Sequence, residues 1–381
     1  MRILISGGGT GGHIYPALAV ARELHVRYGA ELLYLGDVNG LETDIVPPTG
    51  IPFVGITAGK FRRYLSRHTL RDLARVPSGI REAMTHVARF QPHAAFTSGG
   101  YVAVPAGLAA RRYGAPLLMH QQDVAPNLAN RLLTPFATRI SVSFPDSLRR
   151  FPRRRCFLAG NPVRDEILGA ARRPVADCKL AFDFDPALPV LVVTGGSQGA
   201  RHLNQAVAMT LPALLDRCQV LHISGERTYA ETKALAEPAF IERPEWRGRY
   251  VLRDYLTDRM PEALQASDVV LCRSGAATLA ELAVLAKPSI LVPLPPGFTG
   301  SPQTVNAIMF RGSGAAEMIL DKHLTPDRLL DVLLPLLDNH PRRALMANSA
   351  RALAHPDAAT TLADAAAVLA RKRMGSGHNT R

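Results

Sequence analysis

Short apolar runs alternate along this chain with longer segments whose apolar positions recur at helical spacing. In the N-terminal half the runs lie at 2–6, 31–36, 52–56, 94–97, 116–119, 139–142 and 156–159, and each predicts a strand. Behind the first run, Ala17, Val20, Ala21 and Leu24 mark one face of a helix over 13–28. A Pro- and Arg-rich stretch at 151–155 and a weakly periodic one at 169–189 interrupt the pattern. A second series then begins, with strands expected at 190–194, 219–224, 250–252, 268–272 and 289–293. Its helices are expected at 200–215, 261–266, 276–286 and 302–311, followed by helical runs at 326–337, 341–354 and 358–373. Near-continuous apolar strands separated by helices predict parallel sheets covered on both faces. A length of 381 residues suggests two domains. The expected division is 1–162 and 163–344, with a C-terminal helix at about 345–373 packing back on the first domain and a loose tail at 374–381.

Both halves repeat one device: a strand, a glycine-rich turn, then a helix. The first turn is Gly7-Gly8-Gly9-Thr10-Gly11-Gly12 and the second Gly195-Gly196-Ser197-Gln198-Gly199. Such turns let a backbone approach a phosphate, and a helix N-terminus favours negative charge. The first contains G-x-G-x-x-G, and Asp37 ends the second strand where a dinucleotide fold places its ribose-binding acid. Two glycine turns in two domains argue against a simple dehydrogenase, and the second lacks the Lys of a P-loop. His13 follows the first turn directly. A helix N-terminus disfavours imidazolium, so this histidine is expected to stay neutral and suited to general-base work on a hydroxyl.

Further on, Arg273-Ser274-Gly275-Ala276 forms a small-residue turn at a strand end, and Glu281 lies in the second turn of the helix behind it. Its carboxylate is of the type that takes both hydroxyls of a ribose. Gln303 and Asn306, three apart on a helix, offer amides that suit sugar hydroxyls. Lys60, Arg63, Arg71 and Arg75 are interleaved with Phe61, Leu65, Leu70 and Leu73, a mixture able to meet an anionic membrane surface.

Composition narrows the partners. Lys+Arg is 45 and Asp+Glu 32, a formal charge of +13 carried mostly by arginine, which favours anionic partners. No helix-turn-helix, zinc knuckle or aromatic stacking motif supports nucleic acid. The four cysteines form no CxxC pair, so neither a disulfide framework nor a zinc site is expected, and this usage suits a reducing cytoplasm. The N-terminal residues lack the apolar stretch of a signal peptide, and no apolar run reaches the length of a membrane span.

Taken in order, these motifs resemble glycosyltransferase family 28. The residues that carry the resemblance are Gly8 to Ala21, Gly40-Leu41-Glu42, Gly99-Gly100-Tyr101-Val102 with Pro105 to Ala110, Gly160-Asn161-Pro162-Val163-Arg164, Thr194 to Arg201, and Cys272-Arg273-Ser274-Gly275 with Thr278 and Glu281. The resemblance implies an α/β GT-B fold, two Rossmann-like doubly wound domains facing across a cleft. It implies an inverting transfer of GlcNAc from UDP-GlcNAc to the muramyl sugar of undecaprenyl-pyrophosphoryl-MurNAc-pentapeptide (lipid I). The products are lipid II and UDP, made at the cytoplasmic face of the cell membrane by a peripheral protein with no required cofactor or metal. By the same analogy Ser197, Gln198 and Arg164 meet the donor diphosphate, and Leu256 and Thr257 the uracil. Arg273, Ser274, Gly275, Ala276 and Glu281 belong to the nucleotide site, with Glu281 on the ribose, and Gln303 and Thr304 meet the sugar. Thr10, Gly11 and Gly12 face the acceptor pyrophosphate, with Gly100, Tyr101, Gln121 and Asp123 near, and His13 is the base or a positioning group. The chain departs from the family at His120-Gln121-Gln122-Asp123, where a glutamate and an asparagine usually replace Gln121 and Asp123. It also departs at Arg111, where an aromatic residue is common, and at 295–301. Related readings are transfer to another lipid such as diacylglycerol, and a UDP-GlcNAc epimerase of similar architecture.

Overall fold

A computed structural model describes residues 1–59, 67–196, 199–295 and 303–376, with the side chains of 67–76 and 376 excepted. The chain forms two compact units, Met1–Arg164 with His355–Arg381, and Asp165–Ala354. The helix His340–Ala352 therefore belongs to the second unit, while Ala358–Ser376 completes the first.

Unit 1 holds seven strands: β1 (Arg2–Ser6), β2 (Glu31–Asp37), β3 (Phe53–Ile56), β4 (Ala94–Thr97), β5 (Leu117–Gln121), β6 (Arg139–Val142) and β7 (Cys156–Leu158). They lie in the order β3-β2-β1-β4-β5-β6-β7, every neighbouring pair parallel. The pleat sends alternate residues to opposite faces. Ile3 and Ile5 enter a core with Ala17, Val20 and Leu24 of the helix Gly11–Tyr28 and with Leu362, Ala366 and Ala370 of Ala358–Ser376. Leu4 enters the opposite core with Ala83 and Val87 of the helix Arg67–Phe90 and Ala103, Ala106 and Ala110 of Ala103–Arg112. A sheet sandwiched this way needs apolar residues at successive positions, which is why its strands read as unbroken runs.

Unit 2 repeats the topology with six strands: β8 (Val190–Thr194), β9 (Gln219–Ile223), β10 (Tyr250–Arg253), β11 (Val269–Cys272), β12 (Ser289–Leu291) and β13 (Ala316–Met318). Their order is β10-β9-β8-β11-β12-β13, again parallel. Strand order reverses between β1 and β4 in one unit and between β8 and β11 in the other. A switch point leaves a crevice at the carboxyl ends of the strands, where open α/β sheets bind ligands. The glycine turn after β1, residues 98–101 after β4, the turn after β8 and the loop 273–275 after β11 all lie at these two points.

Several elements had no counterpart in the apolar pattern, among them the helices Ala103–Arg112, Leu128–Leu133, Asp165–Ala170 and Val175–Leu180 and the two described next. β13 is a three-residue edge strand, too short to set a period. The helix Tyr229–Glu242 buries only Thr232, Ala236, Ala239 and Phe240 and carries Pro238, so it has no continuous apolar stripe. Among the described residues no helix is long and apolar enough to cross a membrane.

Candidate functional site

In unit 1 the helix after β1 starts at Gly11, so His13 is its third residue and the last two glycines of the turn are helical. Thr10 is the N-cap in extended conformation, and its carbonyl accepts from the N–H groups of His13 and Ile14. The first amides of a helix have no partner within it. Gly11 and Gly12 supply such amides, whereas two earlier ones are engaged: Gly8 N–H donates to the Gly99 carbonyl and Gly9 N–H to Glu42 Oε2. The anion-binding capacity of this turn is thereby confined to its helical end.

Glu42 is fully buried behind the turn, and its Oε1 accepts from Asp37 N–H at 2.9 Å. A Cβ at Gly8 would stand 2.2 Å from Glu42 Oε1, so Gly8 is the room this carboxylate occupies. Tyr34 donates to the Gly7 carbonyl, and burial followed by the Glu42 charge pushes its phenol well above the usual range. Asp37 is buried, and its carboxylate accepts from Tyr101 Oη and from Asn39 N–H. That inward turn removes it from the ribose role expected of a dinucleotide fold.

The loop after β4 packs directly on the glycine turn. Gly100 has φ +85°, and a Cβ there would meet the Gly8 carbonyl oxygen at 2.1 Å. Gly99 has φ +106°, and its added Cβ would stand 3.1 Å from Cε1 and Nδ1 of His13. Ser98 holds His13 from both sides: its Oγ donates to the His13 carbonyl at 2.6 Å, and its own carbonyl lies 3.1 Å from Nδ1. A carbonyl only accepts, so neutral His13 carries its proton on Nδ1 and presents the lone pair of Nε2. Burial holds the imidazole below its usual 6.5, opposed by the Asp123 carboxylate, the Ser98 hydrogen bond and then Glu42. Burial is thus the cause of the neutrality expected from the helix terminus.

At the end of β5, Gln121 is fully buried and turned into the protein. Its Nε2 donates to the carbonyls of Asp123 and Ala125 at 2.8 and 3.1 Å, and its Oε1 accepts from Asn130 Nδ2 at 2.8 Å. It therefore shapes the loop 123–125. Asp123, half-buried in that loop, reaches His13 through its charge. His120 is buried between Ser141 Oγ and Asn161 Oδ1, both at 3.0 Å, with its pKa lowered to about 4 by burial, so it is a structural link. An open pocket of about 390 Å³ lies beside the turn, lined by Gly9, Asn39, Gly40, Leu41, Thr43, Asp44 and Tyr101. Arg164, the last residue of this unit's first segment, lies over the Tyr15 ring at 5.4 Å.

In unit 2, Ser274 is buried at the end of β11, its Oγ donating to the Gln303 carbonyl and its carbonyl accepting from Asn306 Nδ2. Gly275 is the N-cap of the helix Ala276–Val284, and Glu281 sits half-buried along it. Gln303 and Thr304 begin the helix Gln303–Gly312, and Gln303 Oε1 accepts from Leu294 N–H. Asn306, expected as a second sugar amide, is fully buried and ties its helix to β11 instead. Arg273 pairs with Asp321 and donates to the Val292 carbonyl, which anchors the loop to the end of β12. Leu256 and Thr257 follow β10, half-buried and exposed respectively. In the turn after β8, Gly199 has φ +75°, and an added Cβ would meet the Ser224 carbonyl at 2.5 Å. Ser197, Gln198, Lys60 and Arg63 lie outside the described residues, and Arg71 and Arg75 belong to the helix Arg67–Phe90, whose side chains there are not described. The four cysteines are free thiols, and no group of three metal-ligating side chains occurs among the described residues.

Comparison with known proteins decides the family. The glycosyltransferase family 28 N-terminal domain matches residues 3–142, and the glycosyltransferase family 28 C-terminal domain matches residues 190–362. The chain belongs to glycosyltransferase family 28. A family relative, the UDP-N-acetylglucosamine–N-acetylmuramyl-(pentapeptide) pyrophosphoryl-undecaprenol N-acetylglucosamine transferase of Desulforamulus reducens, is 40% identical over 362 residues, 94% of this chain and 96% of the relative. The protein of the same description from Desulforudis audaxviator is 40% identical over 378 residues, 98% and 99%. The crystal structure of Acinetobacter baumannii MurG matches with TM-score 0.74 and 27% identity over 96% of this chain and 98% of that one. The family 28 chain is accordingly a glycosyltransferase whose two parallel sheets form a GT-B-like fold.

Sequence reasoning gave no role to Ser98, Gln122 or Glu42, though the latter two lie inside quoted motifs. Gln122 is buried and its Nε2 donates to the Ser98 carbonyl at 2.9 Å. The available signal was position: a residue at the end of β5 lies beside the end of β4 in a parallel sheet.

Proposed function

We propose that the protein transfers GlcNAc from UDP-GlcNAc to the muramyl sugar of undecaprenyl-pyrophosphoryl-MurNAc-pentapeptide, forming lipid II and UDP with inversion at the anomeric carbon. The observation that carries the mechanism is His13, neutral, with Nδ1–H spent on the Ser98 carbonyl and Nε2 left to accept. As the muramyl hydroxyl attacks the anomeric carbon of the donor, its proton passes to Nε2 and the bond to the UDP oxygen breaks. Asp123, whose charge raises the proton affinity of His13, stabilises the imidazolium that forms. Gln121 supports that loop, so its lack of a titratable proton is compatible with turnover.

The acceptor pyrophosphate meets Thr10, Gly11 and Gly12 at the helix N-terminus, with Gly100 and Tyr101 closing the adjoining loop. On the donor, Ser197, Gln198 and Arg164 hold the diphosphate together with the turn Arg273, Ser274, Gly275 and Ala276. Leu256 and Thr257 receive the uracil through the backbone, Glu281 the ribose hydroxyls, and Gln303 and Thr304 the sugar. Developing charge on UDP is stabilised by backbone N–H groups and arginine. The lipid acceptor brings the protein to the cytoplasmic face of the membrane, where Lys60, Arg63, Arg71 and Arg75 meet anionic headgroups.

The test is UDP release from UDP-GlcNAc with and without a short-chain lipid I analogue, with the lipid product identified by mass. Acceptor-dependent release with a GlcNAc-bearing product is expected. Release without acceptor, or transfer to diacylglycerol in preference to the muramyl lipid, overturns the assignment.

A further inference from the structure

One carbonyl governs the state of His13. The Ser98 oxygen lies 3.1 Å from His13 Nδ1 and at the same time accepts from Gln122 Nε2 at 2.9 Å. A carbonyl oxygen has two lone pairs, and these two donors fill both. Gln122 is 4% exposed and follows β5, so its reach to Ser98 crosses from the end of one parallel strand to the end of its neighbour. Ser98 is followed by Gly99 at φ +106°, which has no Cβ of its own, so the peptide between them is oriented by its hydrogen bonds more than by a side chain.

We propose that Gln122 is the positioning residue that fixes the Nδ1–H tautomer of His13, by holding the Ser98 carbonyl where the imidazole must donate to it. The inference rests on the reading of His13 as the base, yet concerns a property of the ring that can be measured without turnover. With the Gln122 amide in place the Ser98 peptide cannot rotate without breaking two hydrogen bonds at once. Without it, only the bond to the ring holds the carbonyl; breaking that one bond lets the carbonyl turn away, Nδ1 then loses its acceptor, and the proton can move to Nε2. An Nε2–H imidazole cannot take a proton from an acceptor hydroxyl at that nitrogen.

The experiment uses the full chain with ¹⁵N-labelled histidine. Two-bond ¹H–¹⁵N spectra at a pH above the imidazole titration distinguish a protonated ring nitrogen from a bare one, and His13→Gln assigns the signal. The expected spectrum of the unaltered protein shows Nδ1 protonated and Nε2 bare. In Gln122→Ala the two nitrogens should move towards each other as the tautomers mix, kcat should fall about 10–100-fold, and KM for UDP-GlcNAc should stay within twofold. Gln122→Glu keeps the side-chain volume should the alanine variant fail to fold. It replaces the donor by a carboxylate near the carbonyl and the ring, so the acid limb of kcat should move to higher pH. A pure Nδ1–H signature in both variants overturns the positioning role. Mixed tautomers with unchanged kcat would leave the positioning role standing and overturn His13 as the base.

Discussion

At the scale of residues, His13 concentrates the chemistry. Removing a general base lowers kcat by about 10²–10⁴-fold. His13→Ala is therefore expected to lose activity in that range while KM for UDP-GlcNAc changes little, as steady-state kinetics on the soluble acceptor analogue will read. Burial depresses its pKa below 6.5, so the neutral form persists into mildly acidic solution. Activity should be retained down to pH 6.5 and be lost as pH falls through the depressed value. A pH profile of kcat/KM whose acid limb lies at 6.5 or above would sink that reading. Gln121 illustrates the limit of residue identity as a guide. It stands where the family usually has a glutamate, yet its amide makes two donations to carbonyls that an ionised glutamate could not make.

At the scale of elements, function depends on turns pressed together at strand ends. Gly100→Ala would place a methyl 2.1 Å from the Gly8 carbonyl at a positive φ, whereas Gly29, also at positive φ, has nothing within 4 Å. Gly29→Ala should cost about 1–2 kcal/mol, the left-handed penalty alone. Gly100→Ala should cost more than about 4 kcal/mol or displace the turn, a contrast thermal unfolding can measure. Two buried histidines clamp elements in the same way. His120 joins β5 to Ser141 of β6 and to Asn161, and His222 joins β9 to Asn204 and to Tyr250 of β10. Burial lowers their pKa values to about 4 and about 3. The unfolded chain binds those protons near 6.5, so their contribution is complete above pH 6.5 and fades as pH falls towards 4. At about 1.4 kcal/mol per unit it amounts to roughly 3 kcal/mol each by pH 4. Calorimetry in buffers of different ionisation enthalpy at pH 5 should find the proton uptake on unfolding reduced by about one in each of His120→Gln and His222→Gln.

At the scale of the whole molecule, unit 1 is closed by the far end of the chain. Leu362, Ala363, Ala366, Ala367, Leu369 and Ala370 are buried in the same core as β1 and the helix Gly11–Tyr28. Exposing them forfeits roughly 7 kcal/mol, at about 2 for a leucine and somewhat less than 1 for an alanine. That is comparable to the net stability of a domain. A chain ending at Ala354 should lose unit 1 selectively: limited proteolysis is expected to degrade residues 1–164 while 165–354 persists. Equal resistance of both segments would show that the C-terminal helix is dispensable.

The apolar pattern alone determined twelve of the thirteen parallel strands and their division into two series, because a sheet covered on both faces imposes unbroken apolar runs that a linear reading detects. Motif order determined the family, because glycines and small residues at strand ends are required locally by the turns themselves. What only the tertiary structure decided is which polar groups remain available. Asp37 and Asn306 have the composition of ligand-binding residues but are consumed by partners distant in sequence, Tyr101 and Ser274, and Gln121 is consumed by the carbonyls of its own loop and by Asn130. Conversely, the bond that gives His13 its tautomer comes from Ser98, 85 residues away. Hydrogen bonds of that range arise from strand adjacency, and adjacency at a switch point, β1 beside β4 rather than β3, is a property of the folded sheet that no local pattern encodes.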